Sequence, residues 1–133
     1  MLCRATALLL KTATATDIST GSRLAFVQGE FDLLCSNLDT MPLSRAAAAS
    51  SAVPLVLSPV TISNYGGRCG YRYPPWADAI TDVNNPSRPA GRALQRLNEM
   101  RSFEDSARRP FIHLVDGGLS DNLGVRGVLE ALE

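Results

Sequence analysis

The chain has 133 residues, a length that fits one ordinary domain. Its 13 basic residues balance 13 acidic ones, so it lacks the basic excess that a dedicated nucleic-acid binder carries. With 45% hydrophobic and 20% charged residues it is globular in composition, and its two apolar stretches, residues 5–10 and 52–57, fall far short of the roughly 20 residues of a membrane-spanning helix.

All but one of the basic residues are arginine, Lys11 being the single lysine, and alanine is abundant. Residues 1–10 have a faint signal-peptide flavour, but the apolar stretch is short, Lys11 interrupts it, and no cleavage pattern follows. Residues 5–15, rich in Thr, Ala and Leu with no helix cap, read as a buried strand. Asp17 to Gly21 (D-I-S-T-G) predicts a turn in which Asp and Ser bond local backbone and Gly takes a positive φ. Residues 23–28 then form a second strand, paired with the first as a hairpin, and residues 30–34 a short helical turn.

Pro42 suits the first turn of a helix over residues 43–52, and Pro54 ends it. That helix is made almost wholly of small side chains, so it should lie buried against a sheet or another helix. A short strand over 56–62, broken by Pro59, follows. Residues 63–90 read as one long irregular segment, with Tyr65, Tyr71, Tyr73 and Trp76 either touching a lipid-like substrate or pinning the loop to the surface. Residues 90–103 carry a helical stripe of Ala90, Leu94, Leu97, Met100 and Phe103. Arg92, Arg96, Arg101, Arg108 and Arg109 around it either meet anionic headgroups or form a solvated face diluted by Glu99, Glu104 and Asp105. A further helix is expected over 123–132, with Ser120, Asp121 and Asn122 as caps.

Cys3, Cys35 and Cys69 are too few for a disulfide scaffold, and the odd number leaves at least one thiol unpaired within the chain. Their wide spacing and the single histidine argue against a zinc site. Cys35 and Cys69 form a bridge if the region matures in an oxidising compartment, and are two unlinked thiols otherwise.

The segment richest in chemistry is residues 111–124. A short apolar strand delivers Asp116 at its carboxyl end, and Gly117 and Gly118 let the backbone turn sharply with no Cβ in the way. In open α/β sheets ligands bind beyond such strand ends, where a carboxylate can serve a neighbouring hydroxyl as general base. Side chains alternate along a strand, so His113 points away from Asp116 and is a poor member of a Ser-His-Asp relay. On these residues alone Asp116 is either a general base or a loop aspartate capping the following turn.

Three stretches resemble the patatin-like phospholipase family, and they come in that family's order. Residues 15–21 (A-T-D-I-S-T-G) resemble its A-T-D-x-x-T-G strand and turn. Residues 42–54 (P-L-S-R-A-A-A-A-S-S-A-V-P) resemble its P-L-x-x-A-x-x-A-S-S-A-x-P helix, and residues 116–124 (D-G-G-L-S-D-N-L-G) its D-G-G/A segment with the following D-N-x-G. The resemblance implies an α/β fold, a three-layer α/β/α sandwich, with the chain as part of one patatin-like domain. It also implies a Ser-Asp dyad without histidine, which hydrolyses phospholipids or other acyl esters, releases fatty acids and needs no metal or cofactor. The family's proton acceptor maps onto Asp116, with Gly117 and Gly118 completing the motif and Asn122 capping the helix behind.

The chain contains no G-x-S-x-G and no glycine-rich oxyanion loop before Ala15. Ser50 and Ser51 lack flanking glycines and read as packing residues within the small-residue helix. The expectation is therefore the C-terminal, aspartate-bearing part of the domain with the N-terminal nucleophile half missing: marginally stable, with an uncovered apolar face, and inactive alone. Peripheral membrane contact and a membrane-associated or exported location are expected over a nucleic-acid role. The alternative is a non-catalytic remnant or binding module that keeps half of the fold.

Overall fold

The computed structural model describes residues 13–82 and 91–120. Residues 5–12 of the strand expected over 5–15 and the helix expected over 123–132 lie outside the described residues, as do Asp121 and Asn122. The first described elements are β1 (Thr14–Asp17) and β2 (Arg23–Ala25), an antiparallel hairpin with Thr14 opposite Ala25 and Thr16 opposite Arg23. Its turn forms as the sequence predicts. The Asp17 carboxylate accepts from Ser19 N–H at 3.1 Å, the Asp17 carbonyl accepts from Gly21 N–H at 2.8 Å, and Gly21 adopts φ 71°. β2 stops at Ala25, three residues before the expected end, because Val27 already caps α1 (Gln28–Leu33), which buries Phe31 and Leu33.

A single 3-10 turn (Leu38–Thr40), capped by the Asn37 side chain, leads to α2 (Leu43–Ser50). Pro42 sits at its N-cap in extended conformation, so a missing N–H costs nothing there. Only Ala46 and Ala49 are buried among its residues, while Ala47 and Ala48 are exposed, which corrects the expectation of a helix buried as a whole. A helix of two turns packs one stripe, whatever the size of its other side chains. It ends at Ser50, well before Pro54, and the chain turns through Val53 to Leu57 with Leu55 at φ 74°. β3 (Val60–Ser63) begins directly after Pro59. The expected strand broken by Pro59 is therefore shifted, because a residue without an N–H suits a strand's entry and not its middle.

The segment expected to be irregular contains a helix, α3 (Pro75–Thr81), with Pro74 at its N-cap and Pro75 in its first turn. The rest of this loop is pinned. The buried Asn64 side chain donates to the carbonyls of Phe103 (2.8 Å) and Arg109 (3.0 Å), and its oxygen accepts from Gly66 N–H at 2.9 Å. Gly66 lies so close to the helix Gly91–Glu104 that a Cβ would stand 2.4 Å from the Phe103 carbonyl oxygen. Tyr71 and Tyr73 meet edge to face at 5.7 Å against the core, and Tyr73 donates to the Glu104 carboxylate. Cys35 and Cys69 are joined by a disulfide, with Cα atoms 5.6 Å apart, so the bridged alternative is the one this structure adopts.

Helix α4 (Gly91–Glu104) buries Leu97, Met100 and Phe103 on one stripe, leaving Leu94 exposed against expectation. β4 (Phe111–Asp116) completes a four-stranded sheet of order β2-β1-β4-β3, with every neighbouring pair antiparallel. Ala15, Leu24, Ile62, Ile112 and Leu114 share one face of it and meet Phe31, Leu33, Ala46, Ala49, Met100 and Phe103 from the helices. Strand and helix are thus combined in an α/β arrangement around one antiparallel sheet. The antiparallel pairing also removes the support drawn from carboxyl strand ends, a rule of parallel sheets. Among the described residues no helix is long and apolar enough to cross a membrane.

Candidate active site

β4 reads Phe-Ile-His-Leu-Val-Asp, and its parity holds. Ile112 and Leu114 are fully buried on the core face, while Phe111 and His113 are exposed on the other. Asp116 belongs to the parity of Ile112 and Leu114 and is half-buried. His113 Nδ1 lies 2.9 Å from Thr61 Oγ1, its cross-strand neighbour, so the chain's one histidine is engaged on the face opposite to Asp116.

The end of β4 is fixed from three directions. Asp116 N–H donates to the Ala52 carbonyl at 2.9 Å, tying the strand to the chain leaving α2. Thr16 Oγ1, on β1, donates to the Asp116 carbonyl at 2.9 Å and lies 2.9 Å from Ser120 Oγ. Gly117 is buried beneath β1, where a Cβ would stand 2.5 Å from the Thr14 carbonyl oxygen. The first glycine of the motif is thus required by close approach of backbone, and a positive φ plays no part. The next three residues form a 3-10 turn (Gly117–Leu119) whose Gly118 N–H donates to Asp116 Oδ1 at 2.9 Å. Among the described residues, that is the one hydrogen bond to the Asp116 carboxylate, and no cation pairs with it.

Asp17 is the contrasting carboxylate, and its neighbours in the chain point to a turn and to no buried ion pair. It is fully buried, paired with the Arg109 guanidinium, and accepts from Ser19 N–H and, at 2.7 Å, from Thr20 Oγ1. Arg109 also donates to the Ser102 carbonyl at 3.1 Å. Arg96 pairs with the buried Glu30, and Arg108 lies 3.8 Å from Asp105. Three of the arginines considered for headgroup contact therefore serve intramolecular carboxylates.

Ser51 is exposed at the C-cap of α2 and donates to the Ala47 carbonyl at 2.8 Å, which corrects its assignment as a packing residue. Ser50 is half-buried at the end of the same helix, and neither serine stands on a strand-to-helix elbow. Among the described residues no three His, Cys, Asp or Glu side chains gather as metal ligands. Comparison of the chain with protein-family models, with curated proteins and with solved structures gave no match.

Proposed function

We propose that this chain carries the general-base part of a serine-type lipid acyl hydrolase of the patatin-like kind, acting on phospholipids or other acyl esters. One observation carries the proposal. The Asp116 carboxylate stands half-exposed at the end of a buried strand, held by one backbone N–H and, among the described residues, by no cation. A carboxylate placed there can be approached by a hydroxyl, whereas Asp17 is enclosed and already paired with Arg109.

In the proposed reaction Asp116 accepts the proton of a serine hydroxyl as the serine oxygen attacks the ester carbonyl. The carbonyl electron pair moves to oxygen, where backbone N–H groups receive it. Collapse breaks the ester bond, and the departing alcohol takes the proton back from Asp116. Water repeats the sequence on the acyl-serine and releases the fatty acid. The serine and the oxyanion donors are supplied by residues other than these 133, since the chain has no G-x-S-x-G. In the full three-layer sandwich they belong to the nucleophile half, and a lipid surface is the natural place to meet the substrate.

A binding module without catalysis is the second reading, favoured by the Gly118 hydrogen bond to Asp116, which is the ordinary cap of a turn. The coding sequence upstream of Met1 separates the two. An in-frame G-x-S-x-G after a glycine-rich loop supports the hydrolase, and its absence supports the module. The joined protein should then hydrolyse a short-chain nitrophenyl ester, with Asp116→Asn slowing it roughly 100- to 10,000-fold. Ester turnover by residues 1–133 alone that disappears in Asp116→Ala would overturn the division of labour proposed here.

A further inference from the structure

The chain leaving α2 raises a run of aliphatic side chains into solvent. Leu55 is as exposed as in an unfolded chain (106%), Val56 is 78% and Leu57 51% exposed, and Val53 before them is exposed as well. Large apolar side chains gathered at one exposed tip forgo a burial that each could gain elsewhere. The tip has a fixed shape. Val56 and Leu57 N–H both donate to the Val53 carbonyl, at 3.2 and 2.9 Å, and Pro54 and Pro59 bracket the turn.

Two observations say what meets this tip. Leu55 adopts φ 74°, a region that glycine enters freely and leucine only at a cost. With its side chain wholly exposed, Leu55 gives the fold no packing in return for that strain. The second observation is charge. From residue 46 to residue 67 the sequence holds no Asp, Glu, Lys, Arg or His, although 20% of the whole chain is charged. A surface that docks a folded protein is broad and rimmed by polar groups, whereas a loop entering lipid is narrow and carries no charge. The backbone suits lipid too, since Pro54 has no N–H and those of Val56 and Leu57 are bonded within the turn.

We propose that residues 53–57 insert into a phospholipid surface, with Leu55, Val56 and Leu57 entering the boundary between headgroups and acyl chains. The loop has no charge with which to select an anionic headgroup, so zwitterionic lipid suffices. At the base of the loop the Ala52 carbonyl accepts from Asp116 N–H, so the inserted loop holds the end of β4 beside the lipid. The use of that placement rests on the acyl-hydrolase reading. Insertion itself is measured without turnover, so the two can fail separately.

The 133-residue chain is sedimented with sucrose-loaded phosphatidylcholine vesicles. Saturable binding is expected, changing less than about twofold between low salt and about 0.5 M salt. Leu55→Gly removes the foremost side chain and relieves the positive φ. It should weaken binding roughly tenfold or more while leaving the thermal midpoint equal to the parent's or higher. Leu94→Ser, at an exposed leucine on α4, should bind as the parent does. Leu55→Trp in a Trp76→Phe background should shift its emission to the blue when vesicles are added. No sedimentation, no blue shift, or binding that requires anionic lipid and disappears at high salt would each overturn the proposal. So would a Leu55→Gly chain that binds like the parent, or one that loses binding together with a lower midpoint. Self-association of the chain that Leu55→Gly removes, without vesicle binding, would also overturn it and mark a second copy as the occupant. Hydrolysis of the soluble nitrophenyl ester by the joined protein tests the acyl-hydrolase reading apart from all of these.

Discussion

Asp17 and Asp116 project from the same face of adjacent strands, yet among the described residues a cation closes off only Asp17. The β1–β4 register sets Ala15 opposite Asp116 and Asp17 opposite Leu114, so the two carboxylates stand on one side of the sheet, displaced along it. Arg109 and the hydroxyl of Thr20 bind the first, and among the described residues one backbone N–H binds the second. This asymmetry separates a carboxylate enclosed in the fold from one that stays half-exposed.

The division predicts unequal effects on stability. Removing one member of a buried pair strands the other, so Asp17→Asn and Arg109→Met should each destabilise the chain by about 3–5 kcal/mol. Asp116→Asn keeps an acceptor for Gly118 N–H and should lower stability by less than about 1 kcal/mol. Urea denaturation followed by circular dichroism measures all three, and an Asp116→Asn loss equal to that of Asp17→Asn would contradict the distinction.

Two glycine substitutions should have opposite signs. Gly117→Ala drives a methyl group into the Thr14 backbone, and strain of that kind costs roughly 1–3 kcal/mol. Gly29 lies in α1 with nothing within 4 Å of an added Cβ, so Gly29→Ala should stabilise the helix by roughly 0.5–1 kcal/mol. Thermal melts of the two variants beside the parent give the comparison.

The Cys35–Cys69 bridge closes a loop of 34 residues, for which chain-entropy reasoning gives about 4 kcal/mol of stabilisation. Reduction with dithiothreitol, or Cys35→Ser, should lower the unfolding midpoint by a corresponding amount. Non-reducing peptide mass spectrometry should recover the linked pair.

Stability should fall on the alkaline side. Burial, followed by the hydrogen bond to Glu104, holds the Tyr73 phenol above its ordinary range, and burial with the nearby Glu30 charge raises Tyr71 as well. A raised phenol pKa means that the folded state favours the neutral form. This contribution is complete below about pH 10, the ordinary tyrosine value, and is lost as pH rises towards the shifted one. Arginine stays charged throughout this range. Urea midpoints at about pH 8 and about pH 11 should show the fall, and Tyr73→Phe should flatten it.

What the sequence revealed was local. The turn at residues 17–21, the start of α2 after Pro42, the strand before Asp-Gly-Gly and the outward aim of His113 all follow from neighbouring residues. α3 was hidden because two prolines in succession read as loop until their place at a helix start is known. The pairs Asp17–Arg109 and Glu30–Arg96 span 92 and 66 residues, beyond the reach of any spacing rule. The antiparallel order of the sheet is likewise a property of distant partners. At the site, the residue type and strand end of Asp116 were legible, but the closeness of Gly117 to Thr14 was not.

β4 is the central joint of the sheet, since β1 with its hairpin partner lies on one side and β3 on the other. Those two groups share no strand ladder until the later segment arrives between them. On a ribosome the hairpin and β3 must wait, unzipped from each other, while most of the polypeptide emerges. Asp116 rides on the piece that closes this seam, so its surroundings come into being in the same event that makes the sheet continuous.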